Sequence, residues 1–157
     1  APKNAFVESF LGEDCALKRL NLVKVREIVT DEIGTVLPSD TLETALAKID
    51  DYGYQNAILM VNERKQPAGI ISRSVARTTK GYCRDHFQAV PAVVDLDDDL
   101  RKAASLMFAH DQTWLPCVNQ EGTVCGQITQ RAMTSHLGAR YRARQGDDRK
   151  PSAAIKE

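Results

Sequence analysis

The residues in this sequence that could do chemistry are few, and their spacing argues against catalysis. Four cysteines, Cys15, Cys83, Cys117 and Cys125, form no Cys-x-x-Cys pair. A chain of this length folds without disulfide staples, so reduced and unreactive thiols are expected. His86, His110 and His136 are too far apart for a zinc motif and have no paired cysteine nearby. The acidic run Asp95, Asp97, Asp98 and Asp99 offers oxygen ligands for a hard cation but lacks the spaced loop of a calcium site. Capping of a following helix explains it better, and bound magnesium is not expected. No Gly-x-Ser-x-Gly elbow, phosphate loop or His-Glu-x-x-His motif is present, and the chain is not expected to be an enzyme.

Two hydroxyls stand out for what surrounds them. Ser72 and Thr129 each end an apolar stretch that begins with glycine, Gly69-Ile70-Ile71-Ser72 and Gly126-Gln127-Ile128-Thr129. A hydroxyl at such a strand-to-helix junction caps the helix, and the adjacent N–H groups favour an anion. Capping and ligand contact are equally good readings for both. Arg73 and Arg131 stand close by, with guanidinium groups suited to phosphate.

The elements that must position these groups come in two copies. Leu42, Ala45, Leu46 and Ile49 have the spacing of one buried helical face, and Leu100, Ala103, Ala104 and Met107 repeat it 58 positions later. The glycine-led stretches recur 57 positions apart, so one deleted residue reconciles them. Between these landmarks lie the apolar strands Ala57 to Val61 and Trp114 to Val118, followed by turns at Asn62 to Ala68 and Asn119 to Gly122. Thr35-Val36-Leu37 and Ala92-Val93-Val94 read as leading strands. Asp40 with Glu43 predicts a capping-box start for the first helix, and Asp97-Asp98-Asp99 a cap for the second. Each copy therefore predicts β-α-β-β-α, and two such units related by a pseudo-twofold axis are expected to share one core. Trp114 is read as filling that core in preference to stacking on a ligand ring.

Around the repeats, residues 4 to 20 predict an amphipathic helix within an N-terminal extension of residues 1–23. The first unit spans 24–80, a linker 81–89, the second unit 90–138, and a polar, flexible tail 139–157. The 21 basic and 21 acidic residues balance, which leaves no field to gather nucleic acid. The basic residues Arg140, Arg142, Arg144, Arg149 and Lys150 are diluted by Asp147 and Asp148 and read as a solvated terminus. No apolar run is long enough to cross a bilayer, so no membrane insertion by this segment is expected. Ala1 stands where an initiator methionine would be, as in a piece of a longer protein.

The duplicated unit resembles the tandem cystathionine β-synthase (CBS) domain pair, or Bateman module, over about residues 24 to 137. Val25 to Thr30 is similar to that family's leading segment, and Thr35 to Leu42 to its first strand and cap. Leu115-Pro116-Cys117-Val118 and the two glycine-led strands complete the match. The resemblance implies an α/β (α+β) fold with clefts between paired sheets that bind AMP, ADP, ATP or S-adenosylmethionine. It also implies a homodimer and a parent or partner enzyme, channel or transporter, with the module in the cytoplasm. Ser72 and Thr129 match that family's ligand-contacting hydroxyl, and the positions expected to face a ligand are Thr35, Ser72, Arg73, Pro116, Thr129 and Arg131. One departure weighs against ordinary nucleotide binding. The family's ribose-binding aspartate falls on Val75 and Ala132. The alternative role is a ligand-free dimerisation module, to which Phe6 to Leu22 would contribute.

Overall fold

The computed structural model describes residues 20–146, so the expected helix over residues 4 to 20 lies almost wholly outside the described residues. The first repeat runs β1 (Thr35–Val36), α1 (Leu42–Tyr52), β2 (Ala57–Val61), β3 (Pro67–Ser72) and α2 (Arg73–Thr78). The second runs β4 (Val94–Asp95), α3 (Leu100–Ala109), β5 (Trp114–Val118), β6 (Val124–Thr129) and α4 (Gln130–Gly146). The expected β-α-β-β-α order is thus present twice. α4 continues past Gly138 into the stretch expected as tail, where alanine, arginine and glutamine are all strong helix formers.

Each repeat forms a three-stranded sheet, ordered β1-β2-β3 and β4-β5-β6. The registers correspond residue for residue. Val36 pairs in parallel with Met60, and Val94 with Cys117. Met60 pairs antiparallel with Gly69, and Cys117 with Gly126. Both central strands are apolar and almost wholly buried, as a strand covered on two faces must be.

The helix starts differ from the predicted capping box for a local reason. Thr41 is the N-cap of α1, its hydroxyl accepting the Thr44 N–H at 3.1 Å. Asp40 instead closes the preceding turn, its carboxylate accepting the Leu37 N–H at 2.8 Å. In the second repeat Asp99 caps α3 through Lys102 N–H at 2.9 Å, and Asp98 closes the turn through Asp95 N–H at 2.9 Å. The acidic run is therefore consumed locally, since Asp97 pairs with Arg26.

The two repeats are tied by exchanged leading arms. Residues 23–30 precede β1, yet they pack on the second repeat. Residues 81–88, expected as a linker, precede β4 and pack on the first. Both arms carry a short 3-10 turn, Val25–Glu27 and Cys83–Asp85. Val25 N–H bonds Asp98 O at 2.8 Å, and Cys83 N–H bonds Asp40 O at 2.9 Å. Arg26 N–H bonds Leu96 O at 3.0 Å, and Arg84 N–H bonds Pro38 O at 3.0 Å. Further along, Thr30 exchanges two backbone bonds with Gln127, and Gln88 does the same with Ile70. Each arm thereby satisfies polar groups on a sheet edge that would otherwise stand open.

The interior is not the single shared core expected from the repeat. It divides into two clusters. One joins Val94, Leu100, Met107, Leu115 and Ile128 of the second repeat to Val25 of the first arm. The other joins Val36, Leu42, Ile49, Ile58 and Ile71 of the first repeat to Cys83 of the second arm. Neither cluster is complete without residues that precede the opposite repeat.

Candidate functional site

A cavity of about 700 Å³ opens between the repeats, walled by segments of both. The first repeat supplies Ile33-Gly34 ahead of β1 and Gly53 to Ala57 after α1. The second supplies Thr113-Trp114 at the start of β5 and the β6–α4 junction from Thr129 to Ser135.

The wall from the first repeat depends on two glycines. Gly53 terminates α1 in the left-handed conformation, φ 72°, where a side chain is strained. The reversal sets Tyr52 and Tyr54 side by side, rings 5.4 Å apart and 15° from parallel. Gly34 lies against them. Its N–H donates to the Tyr54 hydroxyl at 2.7 Å, and a Cβ there would stand 2.5 Å from the Tyr52 ring. Burial raises the Tyr54 phenol pKa above its ordinary value, against the opposing effect of the Gly34 N–H. The Tyr54 hydroxyl thus accepts the Gly34 N–H and retains a proton of its own to donate.

The opposite wall is the strand-to-helix junction. Thr129 pairs with Trp114 across β5 and β6, and Gln130 N–H bonds Thr113 O at 2.8 Å. Thr129 Oγ1 caps α4, accepting the Ala132 N–H at 3.0 Å. Arg131 follows in the first turn, exposed and without an acidic partner among the described residues. The cavity lining contains no aspartate or glutamate. The lining is mainly apolar, with the amides of Asn56, Gln127 and Gln130 set into it, and Arg131 with the α4 N-terminus gives it a positive bias.

Of the six positions expected to face a ligand, Thr129 and Arg131 line this cavity. Ser72 caps α2 through Val75 N–H at 3.1 Å. Arg73 is held by Asp50 at 2.7 Å. Thr35 gives its carbonyl to Lys48 Nζ at 3.0 Å, and Pro116 is buried in β5 opposite Gln127. The lining does not include these four. Trp114, read from sequence as core, is half-buried and forms cavity wall.

Sequence reasoning passed over Tyr54 and Gln127. Gly53 is a helix-stop signal, and the residue after it could have been placed at the cleft. Gln127 shares the face of Thr129 by strand alternation, while Ile128 between them is fully buried.

Burial also accounts for the thiols. It pushes Cys83 up to about 11 and Cys117 up to about 12. No cluster of cysteine, histidine and carboxylate side chains suited to a metal occurs among the described residues. No described helix is long and apolar enough to cross a membrane.

The family described as CBS domain matches residues 25–74 and 85–139. The chain belongs to the CBS-domain family. The osmoprotectant import ATP-binding protein OsmV of Salmonella typhimurium is 33% identical over 140 residues, which is 88% of this chain. The chain spans 36% of that relative's length. A CBS domain-containing protein of unknown function from Bacillus anthracis has the same fold, with TM-score 0.68 and 20% identity over 78% of this chain and 98% of that one. CBSX2 in complex with AMP has TM-score 0.63 and 19% identity, covering 76% of this chain and 98% of the other. The cytosolic domain of the Mg²⁺ channel MgtE in complex with ATP has TM-score 0.66 and 23% identity, covering 77% and 51%.

Proposed function

We propose that this CBS pair is the regulatory part of a transporter's ATP-binding subunit in the cytoplasm, and that the cavity between its repeats takes an adenine nucleotide. The observation that carries the reading is the composition of that cavity. Trp114 and Tyr54 offer ring faces for a base, the amides of Asn56 and Gln127 offer hydrogen bonds to its edge, and Arg131 beside the α4 N-terminus offers charge to a phosphate. The OsmV relative, an ATP-binding protein for osmoprotectant import, supports the transporter context.

Regulation follows from the position of the cavity. A ligand there touches both repeats, so its binding free energy depends on the angle between them. The ligand shifts that angle only by its differential affinity for the two arrangements, and the shift is passed to the attached subunit.

Calorimetric titration with AMP, ADP and ATP tests the reading, with thermal melting in parallel. Binding raises the melting temperature by mass action. Arg131→Gln is expected to weaken ATP by about tenfold, the loss of one charge-assisted contact. No heat and no shift with any of the three would contradict it.

A second reading has an observation in its favour. The cavity has no carboxylate to accept bonds from ribose hydroxyls, and Val75 and Ala132 stand at the family's aspartate positions. That favours a ligand-free module whose role is to pair with a second copy. Light scattering that gives a firm dimer, with nucleotides silent, would select it.

A further inference from the structure

The leading arms and turns of the two repeats carry different charges at matching positions. In the first repeat a groove of about 530 Å³ is lined by Leu37, Pro38 and Ser39, by the turn carrying Asn62, Arg64 and Gln66, and by Arg84. In the second repeat the corresponding positions are Asp95, Leu96, Asp97, Asn119, Glu121, Thr123 and Arg26. There Arg26 is neutralised, its Nε 3.1 Å from Asp97 Oδ1. Asp95 and Glu121 leave those positions net negative.

The first repeat keeps the arginine and lacks its counter-charge. Ser39 stands where Asp97 would be, and Arg84 has no acidic partner within salt-bridge distance among the described residues. Arg84 is nonetheless held in place. Its N–H bonds Pro38 O at 3.0 Å, and its guanidinium lies 4.4 Å from the centre of the Tyr82 ring. Arg64 replaces Glu121 on the facing turn. Asn62 Oδ1 fixes that turn, accepting the N–H groups of Arg64 and Gln66 at 2.9 Å each. Even with Glu63 in the lining, two guanidinium groups outnumber one carboxylate.

We propose that this groove is a second binding site, separate from the cavity between the repeats, for a phosphate or pyrophosphate group held between Arg64 and Arg84. Guanidinium groups from two directions suit an anion with several oxygens, and Ser39 adds a hydroxyl where the other repeat has a repelling carboxylate. A ligand here joins the β2–β3 turn to the arm that feeds the second repeat. The same turn touches the other repeat, since Gln66 Nε2 bonds Glu121 O at 3.2 Å and Val124 N–H bonds Lys65 O at 2.8 Å. Occupancy therefore bears on how the repeats are tied together.

The test titrates the whole chain with inorganic pyrophosphate at low salt and, in a second arm, with phosphatidylcholine vesicles with and without phosphatidic acid. Pyrophosphate binding assigns the site to a soluble phosphate, and binding to phosphatidic acid vesicles alone assigns it to a lipid headgroup. In either arm Arg84→Gln and Ser39→Asp are expected to weaken binding by about tenfold or more, and Arg101→Gln, an exposed charge on α3 outside both linings, to leave it unchanged. Both groove substitutions lie at exposed positions, so thermal melting should show the fold intact. The proposal is overturned if neither probe binds, if binding ignores Arg84→Gln and Ser39→Asp, or if Arg101→Gln weakens it as much as they do.

Discussion

The two repeats share a backbone plan almost bond for bond and differ where side chains meet solvent or the cavity between them. At the strand-to-helix junction of the first, Ser72 caps α2 and Arg73 is occupied by Asp50. At the same junction of the second, Thr129 caps α4 while Gln130 replaces Arg73, and Phe108 replaces Asp50. Arg131 then faces the cavity with no carboxylate beside it. The hydrogen bonds that make the fold are shared while the charges differ, so one junction is closed by an ion pair and the other leaves Arg131 without one among the described residues.

The sharpest way to break the correspondence is at the paired glycines. A Cβ on Gly126 would collide with the Thr30 carbonyl, and its φ of 154° also disfavours a side chain. Gly126→Ala is expected to cost about 2–4 kcal/mol or prevent folding, because backbone must move. At Gly69 the nearest obstacle is the Phe87 ring, which is half exposed and can turn away. Gly69→Ala should cost clearly less, and urea unfolding of the two variants compares them directly.

Comparable in size are the core substitutions. Leu115→Ala and Ile58→Ala empty equivalent positions in the two clusters, both fully or almost fully buried. Each should cost about 2–5 kcal/mol by chemical denaturation. Capping comes below that. Thr41→Ala and Asp99→Ala remove matched N-caps and should each cost about 1 kcal/mol. The Arg73–Asp50 pair is smaller still, being partly exposed on both sides. Its loss in Asp50→Asn should cost about 0.5 kcal/mol or less, and should bear on stability alone.

Alkaline pH separates the clusters through their thiols. Cys83 and Cys117 have folded pKa values of about 11 and about 12 against 9.0 for a free thiol, because burial disfavours the thiolate. The stability this represents is full below pH 9, and it is lost as pH rises through the two folded values. At neutral pH a thiol reagent should modify partly exposed Cys125 well before either, and denaturant should equalise them.

Much of the fold was legible because periodicity reports burial. Leu42, Ala45 and Ile49 announce α1, and the same pattern announces α3. The exchange of arms was not legible, since Val25 and Cys83 show in sequence that they are buried types but not which repeat buries them. The site was half legible. Hydroxyls at Ser72 and Thr129 mark equivalent junctions, yet only contacts reveal that Asp50 engages one arginine while Arg131 stays open. Trp114 was misplaced because apolar bulk looks the same whether it faces a core or a cavity.

Hydrogen exchange on Val25→Ala tests the arm exchange most directly, since Val25 precedes the first repeat but is fully buried in the cluster of the second. Faster exchange in β5 and β6, with β2 and β3 unchanged, is the predicted result. Faster exchange confined to β2 and β3 would contradict it and return each arm to its own repeat.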